Sequence, residues 1–137
     1  MNKTLSLILL LLTSTIEADV VIIVNQQCQL TEITKKAVID LYMGKTSKLP
    51  NGQTVQTIDA FTGSELRRDF YKRLTGKSEA QIDAYWAQLA FAGRLTPPPQ
   101  RESVEEILDM VATNPELIAY VDHRHLNDKV KVLLTLK

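Results

Sequence analysis

The stretch FTGSELRRDFYKRL, residues 61–74, gathers the residue types that hold small anions. Thr62 and Ser64 offer hydroxyls, Gly63 offers a backbone N–H unshielded by any side chain, and Arg67 and Arg68 follow closely. A helix start is already the positive end of the macrodipole, so a cation placed there costs roughly 0.3–1 kcal/mol. Free N–H groups at Gly63 and Ser64, the hydroxyls of Thr62 and Ser64, and the guanidinium of Arg67 or Arg68 could instead converge on an oxyanion. The same residues also read as an ordinary cap. Thr62 stands three residues before Glu65, the spacing of a capping box, in which Glu65 folds back over the helix start. Both readings stand on the sequence. Helical geometry puts Arg67 and Arg68 ~100° apart, so only one of them can be well aimed at the turn.

The other chemistry-bearing residues give weaker patterns. TGKS at 75–78 resembles the end of a phosphate-binding P-loop, but the glycine that motif requires at 71 is Tyr71, and the segment follows a helix instead of a strand. Gly76 and Ser78 are explained as caps. Asp122, His123 and His125 cluster after an apolar run; the two histidines at i, i+2 could bind a transition metal weakly, but no further ligands to complete a site stand nearby in sequence. They read as a solvated loop. No serine, cysteine or histidine arrangement suggests nucleophilic catalysis, and Glu105 and Glu106 fall on a helix surface. The residues therefore point to a binding protein and not an enzyme, with no cofactor and no metal.

The elements that must position the turn follow from periodicity. DVVIIV (19–24) is a continuous β-branched run, the pattern of a strand buried on both faces. Ile33, Ala37, Val38, Leu41 and Tyr42 form one face of a helix that Gly44 stops. KLPNGQ (48–53) is a turn, and Thr54–Ala60 reads as a second strand. A second helix is expected over about Ser64–Leu74, with Gly76 as its C-terminal cap. A third starts at Ser78, capped with Gln81 and carrying Ile82, Tyr85, Trp86 and Leu89. GRLTPPPQ (93–100) is an irregular, stiff connection. A fourth helix covers Val104–Thr113, and LIAYV (117–121) and VKVLLTL (130–136) are strands. The order β-α-β-α-α-α-β-β predicts a three-layer α/β domain with a mostly parallel sheet flanked by helices. In such a sheet the 62–64 turn lies at the carboxyl edge, where open α/β folds bind ligands. Asn25, just after the first strand, is expected at that same edge, donating from its side chain.

The chain has 137 residues, with 16 basic against 16 acidic side chains. MNKTLSLILLLLTSTIEA combines a basic start, an apolar run from Leu5 to Leu12 and a small residue at Ala18. This is the pattern of a secretory signal peptide over residues 1–18, too short in its apolar run for a membrane span. Removing it takes Lys3 and Glu17, so 119 residues remain with 15 charges of each sign, one domain over 19–137. Such a balance gives no bulk attraction to nucleic acid. The single cysteine, Cys28, cannot form an internal disulfide; an exported chain of this kind suits a bacterial periplasm.

Taken together, VVIIVN, ITKKAVIDLYMGK, LPNGQTVQTIDA and TGSELRRDFYKRL, with GKSEAQIDAYWAQLAFAG and NPELIAYVD further on, resemble phosphate ABC-transporter substrate-binding proteins. The resemblance is to the PstS-like, type II periplasmic-binding-protein class and runs over nearly all of residues 19–125. It implies a three-layer lobe, a periplasmic location and a role with phosphate or a similar oxyanion. Members hold phosphate with Ser/Thr hydroxyls, backbone amides at helix starts and an arginine. The matching positions here are Thr62, Gly63, Ser64 and Arg67. Three departures are visible: the family's Ser-Gly-Thr order appears as Thr-Gly-Ser, Glu65 brings a negative charge to the turn, and 119 residues make only about one of the two lobes. The expected partners are thus a small oxyanion, a transporter or sensor component at the membrane, and a second copy of the chain to complete the cleft. The competing reading is a lobe without ligand that serves as an interaction module through AYWAQLAF (84–91) or the triple proline.

Overall fold

The computed structural model describes residues 18–137. The signal peptide expected over 1–18 lies, but for Ala18, outside the described residues. The elements are β1 (Val20–Asn25), α1 (Lys35–Tyr42), β2 (Gln56–Thr57), β3 (Asp59–Ala60), α2 (Glu65–Thr75), α3 (Glu79–Phe91), β4 (Gln100–Arg101), α4 (Val104–Thr113), β5 (Leu117–Asp122), a 3-10 turn (His123–His125) and β6 (Val130–Leu136). Each helix begins at a hydroxyl residue whose side chain accepts a backbone N–H of the first turn: Thr34, Ser64, Ser78 and Ser103.

The central sheet has the order β2-β5-β1-β6. Residues of β1 are buried along its whole length, because helices cover both faces. On one face Tyr120 of β5, paired with Ile22 of β1, stacks on Phe70 of α2 with ring centroids 3.6 Å apart. Tyr42 of α1 meets both rings edge-on. On the other face α4 lies against the sheet with Ile107, Leu108 and Val111 buried. The α3 helix packs on α2 and forms the outer edge of the first helical layer. The three-layer α/β architecture is as the periodicity predicts.

Strand direction is a correction. The sheet is mixed, not mostly parallel: β1 runs antiparallel to both β5 and β6, and β5 is parallel only to the short β2. The apolar run DVVIIV reports burial on both faces, which the middle of a three-layer sandwich imposes whatever the strand direction. The strand expected over Thr54–Ala60 is also divided. Gln56 and Ile58 donate to Glu116 and Ile118, and then Asp59 donates to Pro99, so the chain leaves β5 and pairs with β4 in a second, two-stranded sheet. The triple-proline connection, read as irregular, thus ends in a short parallel strand.

Candidate functional site

The turn before α2 is built on Gln100. The Thr62 N–H and the Thr62 hydroxyl both donate to Gln100 Oε1, each at 3.0 Å. The N-cap is therefore Ser64, whose Oγ accepts the Arg67 N–H at 3.2 Å. The capping box expected between Thr62 and Glu65 does not form: α2 starts at Glu65, so Ser64 is its N-cap and Glu65 its first residue, while the Thr62 hydroxyl donates to Gln100. The Ser64 N–H, expected to be free for an anion, is not: it closes the turn onto the Phe61 carbonyl. The N–H groups of Glu65 and Leu66 have no acceptor among the described residues, as the first turn of a helix leaves them.

Arg67 is the arginine turned inward, 3% exposed, while Arg68 is exposed. Its guanidinium is the hub of the site. Nε donates to Asp59 at 3.2 Å, Nη1 to Glu79 at 3.0 Å and Nη2 to Asp83 at 3.0 Å. The ring of Tyr71 lies against it, 5.1 Å from the guanidinium carbon to the ring centroid. Burial works against the arginine's charge, but Asp59, then Glu79, Tyr71 and Asp83, outweigh it and hold the group above its ordinary value. The guanidinium is charged at any working pH.

Behind it Asp59 is almost fully buried, 1% exposed, and accepts from Tyr71 at 2.7 Å and from Tyr120 as well as from Arg67. Burial pushes its carboxyl up, and this exceeds the opposing pull of the Tyr120 hydrogen bond, the Arg67 charge and the Tyr71 hydrogen bond. The hydroxyls of Tyr71 and Tyr120 are pushed up by burial and then by the Asp59 charge, so both act as donors. A cavity of about 210 Å³ opens beside the guanidinium, bounded by Asp59, Arg67, Asp83, Trp86, Pro97 and Gln100 among others.

At the mouth of the site, the Gly63 N–H and Arg67 Nη1 converge on one atom, Glu79 Oε1, at 3.2 and 3.0 Å. Two of the donors expected to hold an oxyanion therefore meet at a single point, where a carboxylate oxygen of α3 sits. Of the expected site residues, Thr62, Gly63, Ser64 and Arg67 are brought together. Asn25 is not. Because β1 is antiparallel to β5 while β2 is parallel to it, the end of β1 lies at the opposite edge of the sheet from the 62–64 turn. The Asn25 amide donates to the carbonyls of Val111 and Ala112 at 3.0 and 2.9 Å, satisfying the end of α4, and its oxygen accepts from Gln27. Asp59, Glu79, Asp83 and Gln100 escaped the sequence reading. One signal was present: Asp59 is an acid between Ile58 and Ala60 in the expected strand Thr54–Ala60, and a charge buried in a sheet requires a partner.

No family model matches the chain, and no curated protein matches it. Solved structures do. The chain is similar to an ABC-type phosphate transport receptor from Vibrio cholerae, with a TM-score of 0.67 at 16% identity over 85% of this chain and 45% of that one. It is similar to a putative phosphate ABC transporter substrate-binding protein with bound phosphate from Clostridium perfringens, with a TM-score of 0.68 at 17% identity over 85% and 44%. The PstS from Borrelia burgdorferi gives 0.64 at 12% identity over 85% and 46%. The fold is thus that of a periplasmic-binding-protein-like α/β domain, and the chain spans less than half the length of these neighbours.

Proposed function

We propose that this chain is an exported, solute-binding-type lobe that takes a small tetrahedral oxyanion, phosphate foremost, at the turn before α2. The observation that carries the reading is the convergence of the Gly63 N–H and Arg67 Nη1 on one anionic oxygen. In this reading Arg67 neutralises charge and the Gly63 N–H supplies a hydrogen bond. The Ser64 hydroxyl and the unpaired N–H groups of Glu65 and Leu66 complete the cradle on the helix side, with Thr62 at its rim. Asn25 serves the end of α4 and takes no part. The fold shared with transport substrate-binding proteins supports a role in ABC-type uptake or sensing, and the leader-like residues 1–18 support a periplasmic location.

Thermal unfolding with phosphate titrated against chloride at matched ionic strength tests this. A ligand at 100 times its Kd adds about 2.7 kcal/mol to the folded state. A phosphate-specific rise in Tm that disappears in Ser64→Ala supports the cradle, and no rise up to millimolar phosphate rejects it.

A second reading has an observation of its own. All three nitrogens of Arg67 are already paired, while Phe91 is 97% exposed and Leu95 and Phe61 are about half exposed. A groove of about 680 Å³ lies between β2, Trp86 and Pro97–Pro99. These features suit an interaction module that binds a transporter component or another periplasmic protein, and a phosphate titration without effect favours it.

A further inference from the structure

We infer that Glu79 is a built-in occupant of the oxyanion position, and that a ligand enters by exchanging with its carboxylate. The inference rests on the oxyanion reading above and adds a regulating side chain to it. Three carboxylates surround Arg67, and they differ in what they leave free. Asp59 lies buried behind the guanidinium on Nε, and Asp83 sits on Nη2. Only Glu79 also touches the turn, through the Gly63 N–H. It therefore stands between the two groups that would otherwise face the same incoming anion.

The position of Glu79 in the chain allows it to leave. It is the first residue of α3, directly after Ser78, and the backbone there is fixed by the Ser78–Gln81 capping box. The side chain can thus swing outward on its own torsions without unwinding the helix. It is 18% exposed, against 3% for Arg67, so its path leads to solvent. When it leaves, Arg67 stays aimed, because Asp59 and Asp83 still hold Nε and Nη2. For a monoanion the exchange preserves the local charge: one carboxylate goes out and one oxyanion comes in. The wild-type cradle is then preorganised but self-occupied, and its affinity is set by competition with its own side chain.

Phosphate titrations of the wild-type protein, Glu79→Ala, Glu79→Ser and Asp83→Asn, followed at the Gly63 amide by NMR, test this. Removing Glu79 frees two charge-assisted donors together, and the phosphate Kd should fall by about tenfold or more in both Glu79 variants. Asp83→Asn removes a similar charge from Arg67 without touching Gly63, and its gain should be clearly smaller. Equal gains in Asp83→Asn and the Glu79 variants overturn the occupancy and leave only a net-charge effect. Phosphate binding of equal strength in wild type and both Glu79 variants also overturns it while the oxyanion reading survives. No binding in any folded variant removes the oxyanion reading and the occupancy with it.

Discussion

At the scale of single residues, the molecule is organised around one buried carboxylate. Asp59 is reached by two tyrosine hydroxyls and a guanidinium, and each satisfies a lone pair that burial would otherwise leave exposed to an apolar medium. The two tyrosines are not equivalent. Tyr71 only donates to Asp59, whereas the Tyr120 hydroxyl donates to Asp59 and also accepts the buried Ala60 N–H at 3.0 Å. Tyr71→Phe should therefore cost about 1.5–3 kcal/mol, the range for a hydrogen bond to a charged group. Tyr120→Phe should cost about 1–3 kcal/mol more, because it leaves a buried N–H unsatisfied as well. Urea unfolding of the two variants checks the order. Equal losses would mean that Ala60 finds another acceptor and that the Tyr120 hydroxyl serves Asp59 alone.

At the scale of elements, the glycines that end α1 and α2 separate backbone strain from packing. Gly44 and Gly76 share the same left-handed φ of 74°. A methyl at Gly76 meets nothing within 4 Å, but one at Gly44 would lie 2.7 Å from Trp86 Cη2 and 2.9 Å from Leu95 Cδ1. Gly76→Ala should cost about 1–2 kcal/mol for the conformation alone. Gly44→Ala should add about 1–3 kcal/mol for forcing α3 and the proline segment away from α1, a difference that thermal melts resolve. Equal costs would mean that Trp86 and Leu95 yield without penalty. The helices themselves were legible in the sequence because caps and apolar stripes are local: Ser78 with Gln81, Gly76, and Ile82 with Trp86 stand where the spacing puts them. What was not legible depended on distant chain. Strand direction is not encoded in DVVIIV, and the switch of Asp59 to a new partner strand is decided by Pro99 and Gln100. The candidate site divides in the same way. The 62–64 turn and Arg67 are close in sequence and readable, whereas Glu79 and Asp83 reach Arg67 from another helix, and Asn25 was misplaced because its edge of the sheet follows from strand direction.

At the scale of the whole molecule, the described sheet is held together by pairing of its first strand with its last two. Val20 at the start of β1 pairs with Asp122 on one side and with Leu136 on the other, so the first strand lies between the last two. Both edges of β1 are thus paired within the described residues. This pairing also makes the fold depend on contacts between distant parts of the sequence, which close slowly, on the order of milliseconds to seconds. Removing residues 130–137 deletes β6 together with the buried Val130, Leu133 and Leu136, and turns β1 from a central strand into an open edge. The shortened chain should then lose its cooperative urea transition, followed together by far-UV circular dichroism and Trp86 fluorescence. A sharp transition retained at both probes would mean that α1, α2, α4 and β5 hold β1 without β6. In that case the site at Arg67, whose residues come from α2, α3, β3, β4 and β5 and not from β6, should keep its phosphate response in the truncated chain, and the last strand would be a cover for the sheet and not part of what holds it together.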